Sequence, residues 1–232
     1  MEYTILTIII ATIPVILLLW YFWHRDKGEK EPMKLMKKVF LWGLIMVIPV
    51  AIVELILESI SMEIGLTGTA AYMFVMPFLM VALPEELSKL WVVKKKAFGH
   101  KKFNEIMDGI TYCILASMGF AVFENILYTF QFGVGTGIMR AFTAVPAHAL
   151  FSGIMGYYIG LAKFSSPAKR KKLFKKGLLM AIFFHGLYDL LLLSGIPLLI
   201  FLIFPLLIYM WWVLNRAIKL ANAGKIAELK YF

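Results

Sequence analysis

The chain has 232 residues, of which 61% are hydrophobic and 16% are charged, and its formal net charge is +10. Soluble domains are roughly 45–50% apolar, so the composition excludes an ordinary soluble fold and predicts an all-α, polytopic membrane helix bundle. The positive charge does not indicate nucleic-acid binding, because the Lys and Arg residues lie in clusters between apolar runs. The single cysteine, Cys113, excludes an intramolecular disulfide and a cysteine-based zinc site.

Apolar runs recur at about the 20-residue length that a spanning helix needs. They predict a single membrane domain over residues 1–232 with about seven transmembrane helices. No basic segment precedes the first run, which favours an uncleaved helix over a signal peptide. The predicted spans are 3–23, 39–61, 69–93, 107–131, 138–162, 177–194 and 196–215.

Basic and uncharged connecting segments alternate along the chain. By the positive-inside rule, the basic segments are cytoplasmic, which predicts an outside N-terminus and a cytoplasmic C-terminus in the cell membrane. The basic segments are 24–38, 94–106, 163–176 and the tail from residue 216, and those without Lys or Arg are 62–68, 132–137 and 194–196.

Six ionisable side chains lie within four of the predicted spans, where each charged group costs at least a few kcal/mol and is usually functional. Carboxylates and imidazoles also bind metal ions and activate water, so the set predicts a buried hydrolytic site. The six are Glu85 and Glu86 in the third span, Glu124 in the fourth, His148 in the fifth, and His185 and Asp189 in the sixth.

The spacing of these residues adds geometry to the prediction. Glu85 and Lys89 are four residues apart and share a helix face, and Pro84 breaks the backbone hydrogen bonding, as happens beside a polar cavity. The alternative is a helix end at which Lys89 reaches the membrane surface and neutralises one glutamate. His185 and Asp189 have the same spacing, at which two ligands can reach one metal ion.

The six groups divide into two roles. His148 and His185, with Glu124 or Asp189, are suited to bind zinc, and a glutamate of the third span is suited to act as general base toward the activated water. Two further glutamates in the second span, four residues apart, favour an acidic rim facing water over a place in the site. They are Glu54 and Glu58.

Helix geometry raises a question about convergence. From the predicted span limits, Glu85 and His185 lie about 10–12 Å from the cytoplasmic edge, but Glu124 and His148 about 20 Å or more. Either the helices tilt and kink at their prolines, or the groups do not share one centre.

The sequence around these residues resembles the PrsW family of intramembrane metalloproteases, within the superfamily of CAAX-type prenyl-protein proteases and bacteriocin-processing proteins. The matching blocks stand in the family's order, each on a different predicted span, and the resemblance covers a protease core at about residues 70–195. The blocks are EELSK at 85–89, FAVFEN at 120–125, His148 with Gly156 downstream, and HGLYD at 185–189.

The resemblance implies cleavage of a membrane-anchored protein, as in the family's best-known role, the first cut in a membrane-bound anti-sigma factor. CAAX proteases have His where Glu124 stands and Asn where Asp189 stands, which favours the PrsW branch. The superfamily has also been argued to use glutamate-activated water without a metal, so a metal-free protease is an alternative to a zinc protease. The resemblance implies catalytic roles for Glu85 and Glu86 and places Glu124, His148, His185 and Asp189 at the metal or active centre.

Two other classes remain open from the residues alone. Intramembrane carboxylates and histidines also form the proton relays of cation-coupled transporters, although the chain lacks the repeat symmetry common in such proteins. A non-catalytic membrane scaffold would need none of the six groups for its function.

Overall fold

The computed structural model describes residues 2–224, which form a helix bundle without a strand. This architecture confirms the all-α class. The helices are α1 (Glu2–Arg25), α2 (Met33–Glu63), α3 (Tyr72–Val75), a π-helical segment (Met76–Ala82), α4 (Leu83–Lys96), α5 (Ile106–Phe132), α6 (Val134–Phe142), α7 (Ala144–Lys163), α8 (Pro167–Leu193), α9 (Pro197–Phe201) and α10 (Ile203–Asn222).

Six helical stretches of the described residues are long and apolar enough to cross a membrane, which supports a multi-pass membrane protein. The third predicted span, 69–93, is not one of them, and the outside location of the N-terminus stays a prediction. The six stretches are Tyr3–Arg25, Met33–Glu63, Ile106–Phe132, Val134–Lys163, Pro167–Leu193 and Pro197–Asn222.

The third predicted span is a continuous helical run with a π-helical segment in its middle. Pro77 lies in the π-helical segment and Pro84 in the first turn of α4, and each proline removes one backbone N–H from the helical hydrogen-bond ladder. Short π-helical insertions of this kind are frequent at functional sites. The first turn of α4, which carries Glu85 and Glu86, follows this segment directly and lies in the protein interior.

The helix ends account for the mismatch in depth that the predicted spans suggested. Helix α8 begins at Pro167, ten residues before the predicted span, because the basic residues 169–176 leave the apolar core without ending the helix. At 1.5 Å per residue, His185 lies about 27 Å along α8, and Glu124 lies about 27 Å along α5. Lys163, at the end of α7, donates to the Phe98 carbonyl at 2.6 Å. Helix α8 begins shortly after Lys163 and α5 shortly after Phe98, so both helices begin on the same side of the bundle.

Helices α5 and α7 form the centre of the bundle, and their backbones touch through glycines. A Cβ atom at Gly156 would lie 2.4 Å from the carbonyl oxygen of Gly109, and one at Gly160 would lie 2.2 Å from that of Ile106. Small residues allow this close approach of membrane helices. The contact fixes α7, and therefore His148, relative to α5.

We expect Gly156→Ala to lower stability by about 1–3 kcal/mol, because its methyl group would overlap the backbone of α5. The matched control is Gly135→Ala in α6, where a Cβ meets no atom within 4 Å. Alanine favours helix over glycine by up to about 1 kcal/mol, so the control should not lower the thermal unfolding midpoint in detergent. Equal shifts for the two variants would contradict this packing.

Glu31, in the connection between α1 and α2, is a buried carboxylic acid outside the membrane-spanning helices. It is 4% exposed, and neither of its carboxylate oxygens has a hydrogen-bond partner among residues 2–224. Burial raises the pKa of Glu31 to about 7, and the negative charges of Asp26 and Asp108 act in the same direction. The folded chain therefore binds this proton more tightly than the unfolded chain does.

This raised pKa predicts a stability that falls as the pH rises from about 4.5 to about 7, by up to about 1.4 kcal/mol per pH unit. Glu31→Gln should remove this part of the slope and stabilise the chain at pH 8. Glu29→Gln, at an exposed position of the same connection, is the control. Unfolding midpoints measured from pH 4.5 to pH 8 test the prediction, and an unchanged slope in Glu31→Gln would refute it.

Candidate active site

The four sequence blocks meet at one cavity of about 120 Å³ inside the bundle. Glu85 comes from α4, Glu124 from α5, His148 from α7, and His185 and Asp189 from α8, and all five line the cavity. The space is well above the roughly 10–15 Å³ that a water molecule needs.

Lys89 stands at the centre of the cluster. Its Nζ atom donates to Glu86 Oε1 at 2.7 Å, to Glu85 Oε2 at 3.0 Å and to His148 Nδ1 at 3.0 Å. The ring of Phe120 covers another side at 4.6 Å, and the Lys89 side chain is fully buried. The ammonium thus connects α4 to α7 and does not reach the membrane surface.

The contact with Lys89 sets the tautomer of His148. An ammonium can only donate, so Nδ1 accepts, and the proton of the neutral imidazole is on Nε2. That atom donates to Glu124 Oε2 at 2.8 Å, and Ser117 Oγ donates to the His148 carbonyl oxygen at 2.8 Å. Glu124 therefore orients the His148 ring from the side opposite to Lys89.

His185 lies between two carboxylates. Its Nδ1 atom is 3.0 Å from Glu86 Oε1, and its Nε2 atom is 3.3 Å from Asp189 Oδ2. Their i,i+4 spacing thus places the side chains of His185 and Asp189 on one face of α8; a shared metal ion stays a prediction. Phe151 stacks on the His185 ring with centroids 4.7 Å apart.

Gly186 makes room for the π-helical segment beside His185. A Cβ atom at Gly186 would lie 2.3 Å from the ring of Phe78, which belongs to the π-helical segment. The absent side chain therefore lets that segment pack directly against α8.

Arg140, on α6, is a site residue that the sequence analysis missed. Its Nη2 atom is 2.9 Å from Glu124 Oε1, its Nε atom donates to Asn125 Oδ1 at 3.2 Å, and its guanidinium lies 3.9 Å over the ring of Tyr128. Arg140 also lines the cavity. One signal was available, since Arg140 is the only Lys or Arg between residues 103 and 162.

The structure groups the predicted zinc ligands differently from the sequence analysis. Among the described residues, one set of at least three ligand-type groups has its donor atoms within 4.8 Å of one another. Of the four predicted ligands, only His148 belongs to that set; Glu124, His185 and Asp189 lie around it. The set consists of Glu85, Glu86 and His148.

These three residues are of the types that bind zinc, but each already hydrogen-bonds the Lys89 ammonium. With Lys89 in this position, the donor set does not fit a zinc ion.

Glu54 and Glu58 on α2 differ from each other. Tyr72 donates to Glu58 Oε2 at 2.6 Å, which ties α3 to the end of α2. Glu54 Oε1 is buried and has no hydrogen-bond partner within residues 2–224, which is not the solvated rim that the sequence favoured.

Comparison with known proteins identifies the family. Residues 31–214 match the family described as "PrsW family intramembrane metalloprotease". The chain belongs to the PrsW family. It is 38% identical to Protease PrsW of Geobacillus kaustophilus over 90% of this chain and 89% of that protein. It is 33% identical to Protease PrsW of Bacillus subtilis over 93% of this chain and 95% of that protein. No solved structure matches. PrsW membership confirms the resemblance and supports an intramembrane protease.

Proposed function

We propose that the chain hydrolyses a peptide bond of a membrane-anchored protein, with Glu85 as the general base that activates water. The observation that carries this proposal is the different exposure of two adjacent glutamates to the cavity. Glu85 is part of the cavity lining, whereas Glu86 is not.

Glu86 is enclosed by protein on all sides and 0% exposed. Its Oε1 atom accepts from Lys89 and faces His185, and its Oε2 atom accepts from Ser152 Oγ at 3.3 Å. A carboxylate with these partners positions Lys89 and His185, and it has no access to the water of the cavity. Glu85 has that access.

The reaction follows from these positions. A water oxygen attacks the carbonyl carbon of the substrate while Glu85 takes a water proton. The proton then passes to the amide nitrogen as the C–N bond breaks, which leaves a carboxylic acid and an amine, and the acid then gives its proton to the amine. The developing oxyanion needs N–H donors, and Arg140, whose guanidinium carries five of them, lies in the cavity wall.

The cavity wall also indicates the kind of substrate. Apolar side chains from the π-helical segment and the end of α8 line it beside the charged groups, namely Met76, Val81, Leu192 and Leu193. An apolar segment of a membrane-anchored protein matches this lining. We propose that the reaction takes place within the bilayer and that this bilayer is the cell membrane.

Zinc-dependent hydrolysis is the second candidate. The close approach of Glu85, Glu86 and His148 donor atoms favours it, as does the description of the family as metalloproteases. Zinc makes bound water acidic enough to yield hydroxide near neutral pH. Lys89 occupies these donors, so we assign zinc no part in the reaction.

Cleavage by the purified chain tests the proposed function. The chain is reconstituted in liposomes with a single-span reporter protein that carries a fluorescent tag on each side of its membrane segment. Wild type should separate the tags, and the double variant Glu85→Gln, Glu86→Gln should not. A double variant that cleaves at the wild-type rate would exclude this function for the site.

A further inference from the structure

We propose that the Lys89 ammonium is the resident cation of this active site, in the place that a divalent metal would take. The native chain then binds no zinc there, and removal of the ammonium turns Glu85, Glu86 and His148 into a metal site. This inference rests on the proposed function because it names the cation beside the general base.

The number of hydrogen-bond acceptors around Lys89 matches the number of its N–H donors. An ammonium has three N–H donors, and the structure gives Lys89 three acceptors at 2.7–3.0 Å, two carboxylate oxygens and one imidazole nitrogen. The aromatic face of Phe120 takes another direction, as cations favour. Lys89 is therefore fully coordinated without water.

A zinc ion and the Lys89 ammonium cannot occupy this site together. Zinc lies about 2.0–2.2 Å from oxygen and nitrogen ligands, and the acceptors of Lys89 lie within 3.0 Å of its Nζ atom. An ion bound by the same donors would lie in contact with the ammonium. Two like charges in contact in a buried site repel strongly, so the two cations exclude each other.

The buried carboxylates of Glu85 and Glu86 need a positive charge beside them. The side chains of Glu85 and Lys89 are 4% and 0% exposed, and that of Glu86 is 0% exposed. Buried carboxylates need a paired cation, and Lys89 supplies one that is covalently part of the chain. Its charge keeps both glutamates close together without a bound ion.

The His148 ring is already oriented for a metal ion at the position of the Lys89 ammonium. Glu124 accepts from His148 Nε2 at 2.8 Å, so the Nδ1 lone pair already points at the place of the ammonium. Carboxylates orient metal-bound histidines in the same way. A side chain at position 89 that is apolar and of similar length would thus leave three oriented donors.

Zinc binding by the purified chain tests the inference without any cleavage assay. Wild type and four variants are stripped with chelator in detergent and dialysed against zinc. The variants are His148→Gln, Lys89→Met, Lys89→Arg and the double variant Lys89→Met, His148→Gln. Bound zinc is measured by mass spectrometry, and Co²⁺ absorption reports the geometry of the ligands. Helical circular dichroism and gel filtration establish that each variant is folded.

We expect Lys89→Met to bind about one zinc ion per chain and to show tetrahedral Co²⁺ bands. Its affinity for zinc should exceed that of wild type by at least about tenfold, and His148→Gln in the double variant should remove the gain. Lys89→Arg, which keeps a cation, should bind no more zinc than wild type.

A wild-type chain that binds one zinc ion, and loses it in His148→Gln, would overturn the inference, and this measurement does not depend on the folding of any Lys89 variant. A folded Lys89→Met chain that binds no more zinc than wild type would also overturn it. The proposed function fails separately, if wild type excludes zinc but does not cleave the reporter. It survives if wild type binds zinc and Glu85→Gln loses activity.

Discussion

Glu85→Gln should lower the cleavage rate by about 10²–10⁴-fold, the usual contribution of a general base, and should cost less stability than Glu86→Gln, because Glu86 still pairs with Lys89. Glutamine keeps a side-chain oxygen that can accept from Lys89, so the hydrogen-bond network persists while the base is lost. The rate loss should appear in kcat rather than KM, because the proton transfer occurs in the transition state.

Glu86→Gln should behave differently. It removes a buried charge that faces both Lys89 and His185, and breaking such a buried pair costs about 3–5 kcal/mol. Its unfolding midpoint should fall well below that of Glu85→Gln, and its activity should fall with it. Glu63→Gln, at the end of α2 where residue 63 is exposed, is the control for both variants.

The comparison decides which glutamate is the base. Reporter cleavage and thermal unfolding are measured on the same preparations of the three variants. A Glu85→Gln chain with wild-type kcat, beside a stable and inactive Glu86→Gln chain, would exchange the two assignments.

Arg140→Gln should have the second largest effect. It leaves Glu124, whose side chain is 14% exposed, without its cationic partner. A fully buried ion pair costs about 3–5 kcal/mol to break, and this partly buried pair should cost somewhat less. Because Glu124 orients His148, the cleavage rate should fall as well. Arg140→Lys should be intermediate, since lysine keeps the charge but cannot reproduce the two contacts of the guanidinium with Glu124 and Asn125.

A double-mutant cycle separates this pairing from general damage to α6. The chain with both Arg140→Gln and Glu124→Gln has no unpaired charge at this contact, so its unfolding midpoint should recover much of the loss caused by Arg140→Gln alone. Strictly additive losses of stability in the cycle would show that the two residues do not interact.

The sequence predicted the parts of the site that depend on local spacing. His185 and Asp189 share a face of α8 as their i,i+4 spacing requires, and Glu85 and Lys89 do so on α4. The identity of the four contributing segments also followed from where ionisable residues interrupt apolar runs. Helical periodicity and hydropathy carry this information directly.

Contacts between distant segments could not be derived in the same way. The position of Lys89 depends on His148, 59 residues later, and nothing in the EELSK motif specifies that partner. Arg140 reaches Glu124 only because the chain reverses after α5 at Gly133, which has a φ of 91°. A sequence shows that Arg140 is unusual, but it does not show which carboxylate receives it.

Helix limits were the other source of error. Hydropathy marks the part of a helix inside the membrane, so it placed the start of α8 at residue 177 instead of Pro167. The sequence predicted interrupted backbone hydrogen bonding at Pro84, but hydropathy did not reveal the π-helical segment at Met76–Ala82. Both differences changed the predicted depth of the site residues, and the structure brings Glu124 and His148 into direct contact.

The central claim is that Glu85 activates water beside a built-in ammonium, with no metal required. The most direct test measures zinc content and reporter cleavage on the same wild-type preparation, before and after chelator treatment. The claim predicts an unchanged rate at about one zinc ion or fewer per ten chains, well below the stoichiometric content of a metal-dependent hydrolase. A rate that falls in proportion to the zinc removed, and returns when zinc is restored, would contradict it.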